Sequence, residues 1–151
     1  MYVCEIRNAE PGDLEAILGL LNELGGFTHE RHELTRDDVK RVFAAMDAAK
    51  GTYKSLVAVV DNQVVGLVTT VYYQSLFHRG GTALINELVV SEKHRSGGIG
   101  RALVQRAADS ARSDGMDEIE VGTERTNEGA IAFYKRVGFN EEYVLLGREF
   151  G

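Results

Sequence analysis

Proline occurs once in this chain, at Pro11, and cysteine once, at Cys4. A single thiol excludes an internal disulfide and suits a reducing compartment. Cys4 lies in a strand-like segment with no neighbouring histidine or helix start to lower its pKa, so it reads as a packed residue rather than a nucleophile. Long apolar runs are missing too; none approaches the roughly 18 residues that span a bilayer. Positive charge is scarce: 17 Lys and Arg against 23 Asp and Glu leave a net charge of −6, a poor balance for binding nucleic acid. Residues 1–7 show no basic-then-apolar leader pattern, which predicts a cytoplasmic protein. No low-complexity linker interrupts the 151 residues, which read as one domain over 1–151, long enough to bury a core.

Glycine, by contrast, is plentiful and punctuates the chain. Val3 to Asn8 alternates like a strand, and Pro11-Gly12-Asp13 opens a helix to about Leu24, stopped by Gly25-Gly26. Thr35 with Asp37 and Asp38 predicts an N-cap and acidic first turn for a second helix, running to Lys50-Gly51. Asp61-Asn62 separates two β-rich runs, Ser55 to Val60 and Val64 to Gln74. A further strand spans Thr82 to Val90, a helix Gly98 to about Asp114, and a short strand Ile119 to Val121. Asn127 to Val137 reads as a helix and Phe139 to Leu146 as a last strand. The order β-α-α-β-β-β-α-β-α-β, with helices crossing between strands of one sheet, implies an α/β or α+β fold.

Between the strand ending at Val90 and the helix that follows lies Arg95-Ser96-Gly97-Gly98-Ile99-Gly100. Glycines allow close backbone approach, and the free N–H groups of a first helical turn attract an anion, with the helix dipole behind them. A phosphate-bearing cofactor suits such a turn. Two better-known phosphate loops are excluded: Gly100 is followed by Arg101-Ala102 rather than Lys-Ser/Thr, and a third dinucleotide-type glycine is missing. A plain glycine turn between strand and helix would look the same from this stretch alone.

A second motif decides between them. Residues 127–139 read Asn-Glu-Gly-Ala-Ile-Ala-Phe-Tyr-Lys-Arg-Val-Gly-Phe. Asn127 and Tyr134 are two turns apart on one helical face, about 10 Å along the axis, while Ala130, Phe133 and Val137 can face a core. With Arg95-x-x-Gly98-x-Gly100 and Asn127-x-x-Ala130-x-x-Phe133-Tyr134-x-x-x-Gly138-Phe139 in this order, the chain resembles the GNAT superfamily of acetyl-CoA-dependent N-acetyltransferases along essentially its whole length.

The resemblance implies a mixed, mostly antiparallel central sheet flanked by helices, with acetyl-CoA as co-substrate and no metal. It implies that backbone groups around Leu88, Val89 and Val90 pair with the pantetheine amides as an added strand would. N–H groups of Arg95, Ser96, Gly97, Gly98, Ile99, Gly100 and Arg101 would hold the pyrophosphate, and Asn127 would lie beside the pantetheine arm. Tyr134 would protonate the departing CoA thiolate; a core tyrosine with a satisfied hydroxyl is the plainer alternative.

An aliphatic amine is protonated at neutral pH, so acetyl transfer needs a base. Glu87 interrupts an apolar strand immediately before the pantetheine segment and is the candidate, acting directly or through water. A carboxylate facing a solvated cleft, or paired with an arginine, would look the same. No cysteine or serine constellation supports an acyl-enzyme, so direct transfer in a ternary complex is expected. His29 and His32 fall in a polar inter-helix segment and read as solvated rather than as metal ligands, and His94 as surface. By family analogy Phe27, Tyr73 and His78 line the acceptor site. The expected acceptor is a primary amine of a small molecule. A protein lysine or N-terminus is the alternative, and a non-catalytic acetyl-CoA-binding module a more distant one. The run Glu142 to Leu146 offers an apolar edge that suits a homodimer or a core strand.

Overall fold

The computed structural model describes residues 3–25 and 35–151. Strand β1 (Glu5–Asn8) leads through a 3-10 turn at Pro11–Asp13 into α1 (Leu14–Gly25), and α2 (Arg36–Ala48) follows. Then come β2 (Tyr53–Val60), β3 (Gln63–Tyr73), β4 (Thr82–Val90), α3 (Ile99–Ser113), β5 (Glu118–Val121) and α4 (Glu128–Arg136). The sheet runs β1-β2-β3-β4-β5, antiparallel throughout except for the parallel β4–β5 pair.

Local chemistry accounts for these elements. Thr35 caps α2 by accepting the Asp38 N–H at 3.1 Å, and Asp38 returns the contact to the Thr35 N–H. Asp61 and Asn62 both take positive φ, 49° and 62°, the backbone of a tight hairpin turn between β2 and β3. Arg7 on β1 donates two hydrogen bonds to Asp13, at 2.8 and 2.9 Å, and so fixes the entry to α1.

Two cores sandwich the sheet. On one face α3 packs Ile99, Leu103, Val104 and Ala107 against Leu56, Ala58, Val68 and Ile85. On the other, Ile17 and Leu20 of α1 and Val39 of α2 cover Val57, Leu67 and Val89. Gly66 sets how low α3 sits: a Cβ there would fall 2.9 Å from Leu103 Cδ1 and 3.3 Å from Ala58 Cβ and Ile99 Cγ2. Because Gly66 pairs with Val90, this close approach brings the first turn of α3 down beside the end of β4. Cys4 is half-buried against the α3 core, and burial raises its thiol pKa, as expected of a packing residue.

One element differs from the sequence reading. Residues 139–146 form no strand. Gly138 (φ 107°) and a Phe139 N–H bond to the Tyr134 carbonyl turn the chain at the end of α4, and Lys135 Nζ holds Glu142 at 3.2 Å. The apolar run that follows, Tyr143 to Leu146, is largely exposed. β-propensity expresses itself only where a ladder is available.

Candidate active site

The outer edge of β4 is paired along only part of its length. Thr82 to Ile85 match Glu118 to Val121 of β5, and there the pairing stops. From Asn86 to Val90 the strand pairs with β3, and among the described residues no strand pairs with its other edge, which suits an extended ligand. That edge points toward the glycine loop. Gly98 takes φ 84° as N-cap of α3, and the first helical bond runs from Ala102 N to Gly98 O at 3.0 Å. The N–H groups of Gly98, Ile99, Gly100 and Arg101 therefore have no intrahelical acceptor and are available to an anion.

A cavity of about 340 Å³ joins the two features. It is lined by Leu88 and Val90 from β4, by Arg95, Ser96, Gly98, Ile99, Gly100 and Arg101 from the loop, and by Phe133 and Arg136 from α4. Three arginines around one cavity, in a chain of net charge −6, make it a local attractor for phosphates. Arg95 also serves the loop itself: its Nε donates to the Val90 carbonyl at 3.1 Å and its guanidinium lies 3.7 Å from Glu23. Its own N–H goes to the Glu92 carbonyl, leaving the anion to the N–H groups beyond it. His94, read from the sequence as surface, lines the cavity, and its Nδ1 is buried without a hydrogen-bond partner among the described residues.

Glu87 owes its direction to a β-bulge. In the β3–β4 ladder Thr69 opposes Glu87 and Thr70 opposes Ile85, so Asn86 is an extra residue. Simple alternation would aim Glu87 toward the α3 core with Ile85; the inserted Asn86 instead turns Glu87 and Val89 to the α1 face. There Thr69, itself buried, donates its hydroxyl to Glu87 Oε2 and accepts the Glu87 N–H at 3.2 Å. Tyr134 sits across the sheet, packed against the α3 core and edge-on to Phe133 and Phe139 at ring distances of 5.1 and 5.4 Å. Burial pushes its phenol up to about 12, so it stays protonated at neutral pH.

Comparison with known proteins decides the class. Residues 15–139 match the acetyltransferase (GNAT) family. The chain belongs to that family. It is 29% identical over 143 residues to the aminoalkylphosphonate N-acetyltransferase of Salmonella typhimurium, a match covering 95% of this chain and 89% of that one. It is 31% identical to the streptothricin acetyltransferase of Streptomyces lavendulae, covering 89% and 80%. A shorter match, 36% identical, joins 56% of the chain to 56% of the N-alpha-acetyltransferase 30 of Schizosaccharomyces pombe. Among solved structures, a putative acetyltransferase from Agrobacterium tumefaciens superposes with a TM-score of 0.83 at 30% identity, covering 96% of this chain and 99% of that one.

For this GNAT acetyltransferase, the fold gathers most of the cofactor-binding candidates in one cavity, whose lining includes neither Glu87 nor Tyr134. Leu88, Val90, Arg95, Ser96, Gly98, Ile99, Gly100 and Arg101 share one cavity. Val89 is not among the lining residues, its side chain being buried under α1 and α2. Asn127 caps α4, its Oδ1 accepting the Ala130 N–H at 3.1 Å, which occupies part of the amide expected beside the pantetheine arm. Phe133 belongs to both core and cavity. Among the acceptor candidates, Tyr73 donates to Glu120 at 2.9 Å. His78 lies between Ser75 Oγ at 2.9 Å and Glu118 at 3.2 Å, near the far end of β4. Phe27, His29 and His32 lie outside the described residues. Arg136 and His94 were missed because Arg136 stands at an unspecified position of the second motif and His94 just before the first; only the folded path of α4 and the loop brings them to the cavity. Among the described residues no cluster of three or more His, Cys, Asp or Glu is arranged for a metal, and no helix is long and apolar enough to cross a membrane.

Proposed function

We propose that this enzyme moves the acetyl group of acetyl-CoA to a primary amine of a small molecule, by direct transfer in a ternary complex. The observation that carries the reading is the open edge of β4 running into four free N–H groups and three arginines, a shape and charge suited to a pantetheine arm ending in a pyrophosphate. Bound there, acetyl-CoA supplies an activated thioester. Backbone groups of Leu88 to Val90 orient its arm, and the N–H groups of Gly98 to Arg101 neutralise its phosphates. Glu87 accepts a proton from the attacking ammonium, directly or through water, so that the amine nitrogen can form the amide bond as the carbon–sulfur bond breaks. Tyr134 offers its O–H to the departing sulfur. The two groups lie on opposite faces of the sheet, so acceptor and leaving group approach the thioester from opposite sides.

Two relatives named for small-molecule acceptors match over most of this chain, which favours that class over a protein acceptor. The experiment is CoA-thiol release from acetyl-CoA against aminophosphonates, aminoglycosides, polyamines, streptothricin-type amines and short peptides. Saturable turnover on a small amine is expected; turnover on peptides alone would replace the acceptor class. Tyr134→Phe should lower kcat by about 10- to 100-fold with little change in the KM for acetyl-CoA. Because the phenol is pushed up to about 12, an alkaline fall in activity near pH 9 would belong to another group.

A further inference from the structure

Glu23 sits where simple electrostatics would not put a carboxylate. It occupies the last turn of α1, at the negative end of the helix dipole, and that turn carries no basic residue to offset it. It also lies 3.7 Å from the guanidinium of Arg95, which lines the anion cavity. A negative charge there works against helix and ligand alike, and what it gains lies in its contacts. Its Oε2 accepts the Glu92 N–H at 3.1 Å while facing Arg95. That N–H begins the 3-10 turn Glu92–His94, whose own N-cap, Ser91, makes no side-chain cap bond. A side chain of α1 thus caps a turn 69 residues away in sequence. Arg95 completes the clamp: its Nε donates to the Val90 carbonyl at 3.1 Å and its backbone N–H to the Glu92 carbonyl at 3.5 Å. The next residue, Ser96, takes φ 65°, a left-handed conformation that a side chain disfavours and the surroundings must hold. From Ser96 the chain runs straight into α3, so what fixes Arg95 also aims the N–H groups of Gly98 to Arg101.

We propose that Glu23 is a positioning residue for the phosphates of acetyl-CoA, which rests on the reading of the glycine turn as their site. Glu23 is not among the residues lining the cavity; it acts through Arg95 and the Glu92 N–H, and presets the turn before the ligand arrives. Presetting of this kind lowers the ordering cost of binding rather than adding a contact. The paired side chains are each 37% exposed, so the ion pair adds little to global stability and its effect stays local to the loop. Leu20, three residues earlier on α1, shares a core with Val89, so one helix sets the height of both the open half of β4 and the turn at its end. The sign of the effect separates this role from plain electrostatics. Removing a carboxylate beside an anion site should by itself tighten phosphate binding, most of all at low salt. Removing a positioning group should weaken it.

The test is calorimetric titration of acetyl-CoA, without acceptor, into the full chain and into Glu23→Ala, Glu23→Gln and Arg95→Met, with Glu23→Gln also combined with Arg95→Met. Glu23→Ala removes both contacts and should weaken binding about tenfold; Glu23→Gln keeps an oxygen for the Glu92 N–H and should weaken it about threefold. In the Arg95→Met background Glu23→Gln should have no further effect, since Arg95 is the partner it loses. Melting temperatures should stay within about 2 °C of wild type. With an amine that is turned over, the loss should appear in the KM for acetyl-CoA rather than in kcat. Unchanged or tighter binding by either Glu23 variant overturns the proposal, since Glu23 then acts as a plain charge. An equal further loss in the Arg95→Met background overturns the route through Arg95. A loss of affinity that tracks a loss of melting temperature overturns it as well, because Glu23 would then serve the fold. A wild type that binds no acetyl-CoA overturns the phosphate reading itself, and this inference with it.

Discussion

The two halves of β4 are held in opposite ways. Thr82 to Ile85 lie between β3 and β5, with Thr82, Ala83 and Ile85 almost wholly buried. Polar contacts seal that half: Thr82 Oγ1 donates to Glu118 and the neighbouring Tyr72 hydroxyl to Asp114, each at 2.9 Å. Asn86 to Val90 pair with β3 and, among the described residues, with no other strand, and a cavity and the glycine turn lie at their end. The Asn86 bulge separates the halves. A strand fixed at one end can present an unpaired edge at the other without fraying, because the cost of leaving it unpaired is met by burial two residues away. Two-sided burial and an edge unpaired by any described strand are thus segregated along nine residues.

Substitutions two positions apart should separate the roles. Glu87→Gln, in the open half, should lower kcat by about 10²- to 10⁴-fold while acetyl-CoA binding and thermal stability hold, measured by steady-state kinetics and calorimetry. Equal losses of kcat and stability would show Glu87 to be structural. Ile85→Ala, in the closed half, should cost about 2–5 kcal/mol of stability by denaturant titration, yet leave kcat within a fewfold of wild type in the folded fraction. Gly66→Ala addresses the junction between α3 and the open half. Its Cβ would press on Leu103 and Ile99, lifting the first turn of α3, at a cost of about 1–3 kcal/mol and with a several-fold rise in the KM for acetyl-CoA. An unchanged KM would mean that the anion turn tolerates displacement.

Much of this arrangement was legible in the residues. Among the described residues, periodicity located the four α-helices and the five strands to within a few positions, because Thr35, Asp61-Asn62, Gly98 and Gly115 mark their ends with backbone chemistry that is local. The glycine loop at the start of α3 was legible for the same reason. What the residues did not disclose depends on partners distant in sequence. The bulge at Asn86 exists only in register with Thr69 and Thr70, so the face of Glu87 could not be read from β4 alone. Arg136 enters the cavity from α4, and its role is invisible until α4 is docked. The run 139–146 has the composition of a strand, but composition does not say whether an edge lies within reach.

Thr69 sharpens the comparison most finely, since it acts on the open half from the neighbouring strand. Its hydroxyl both donates to Glu87 Oε2 and accepts the Glu87 N–H, so it fixes the carboxylate and the backbone that carries it. Thr69→Val keeps the volume, removes both contacts and leaves a buried N–H without its acceptor, which should cost about 1–2 kcal/mol of stability. If the hydroxyl positions the base, kcat should also fall by about tenfold, with the KM for acetyl-CoA unchanged, because a carboxylate held less firmly spends less time aimed at the amine. Thr69→Ser restores the oxygen without the methyl and should recover most of kcat even where stability stays reduced. Should serine and valine lower kcat alike, the methyl group rather than the hydroxyl is what the site uses, and Thr69 would not be what aims Glu87.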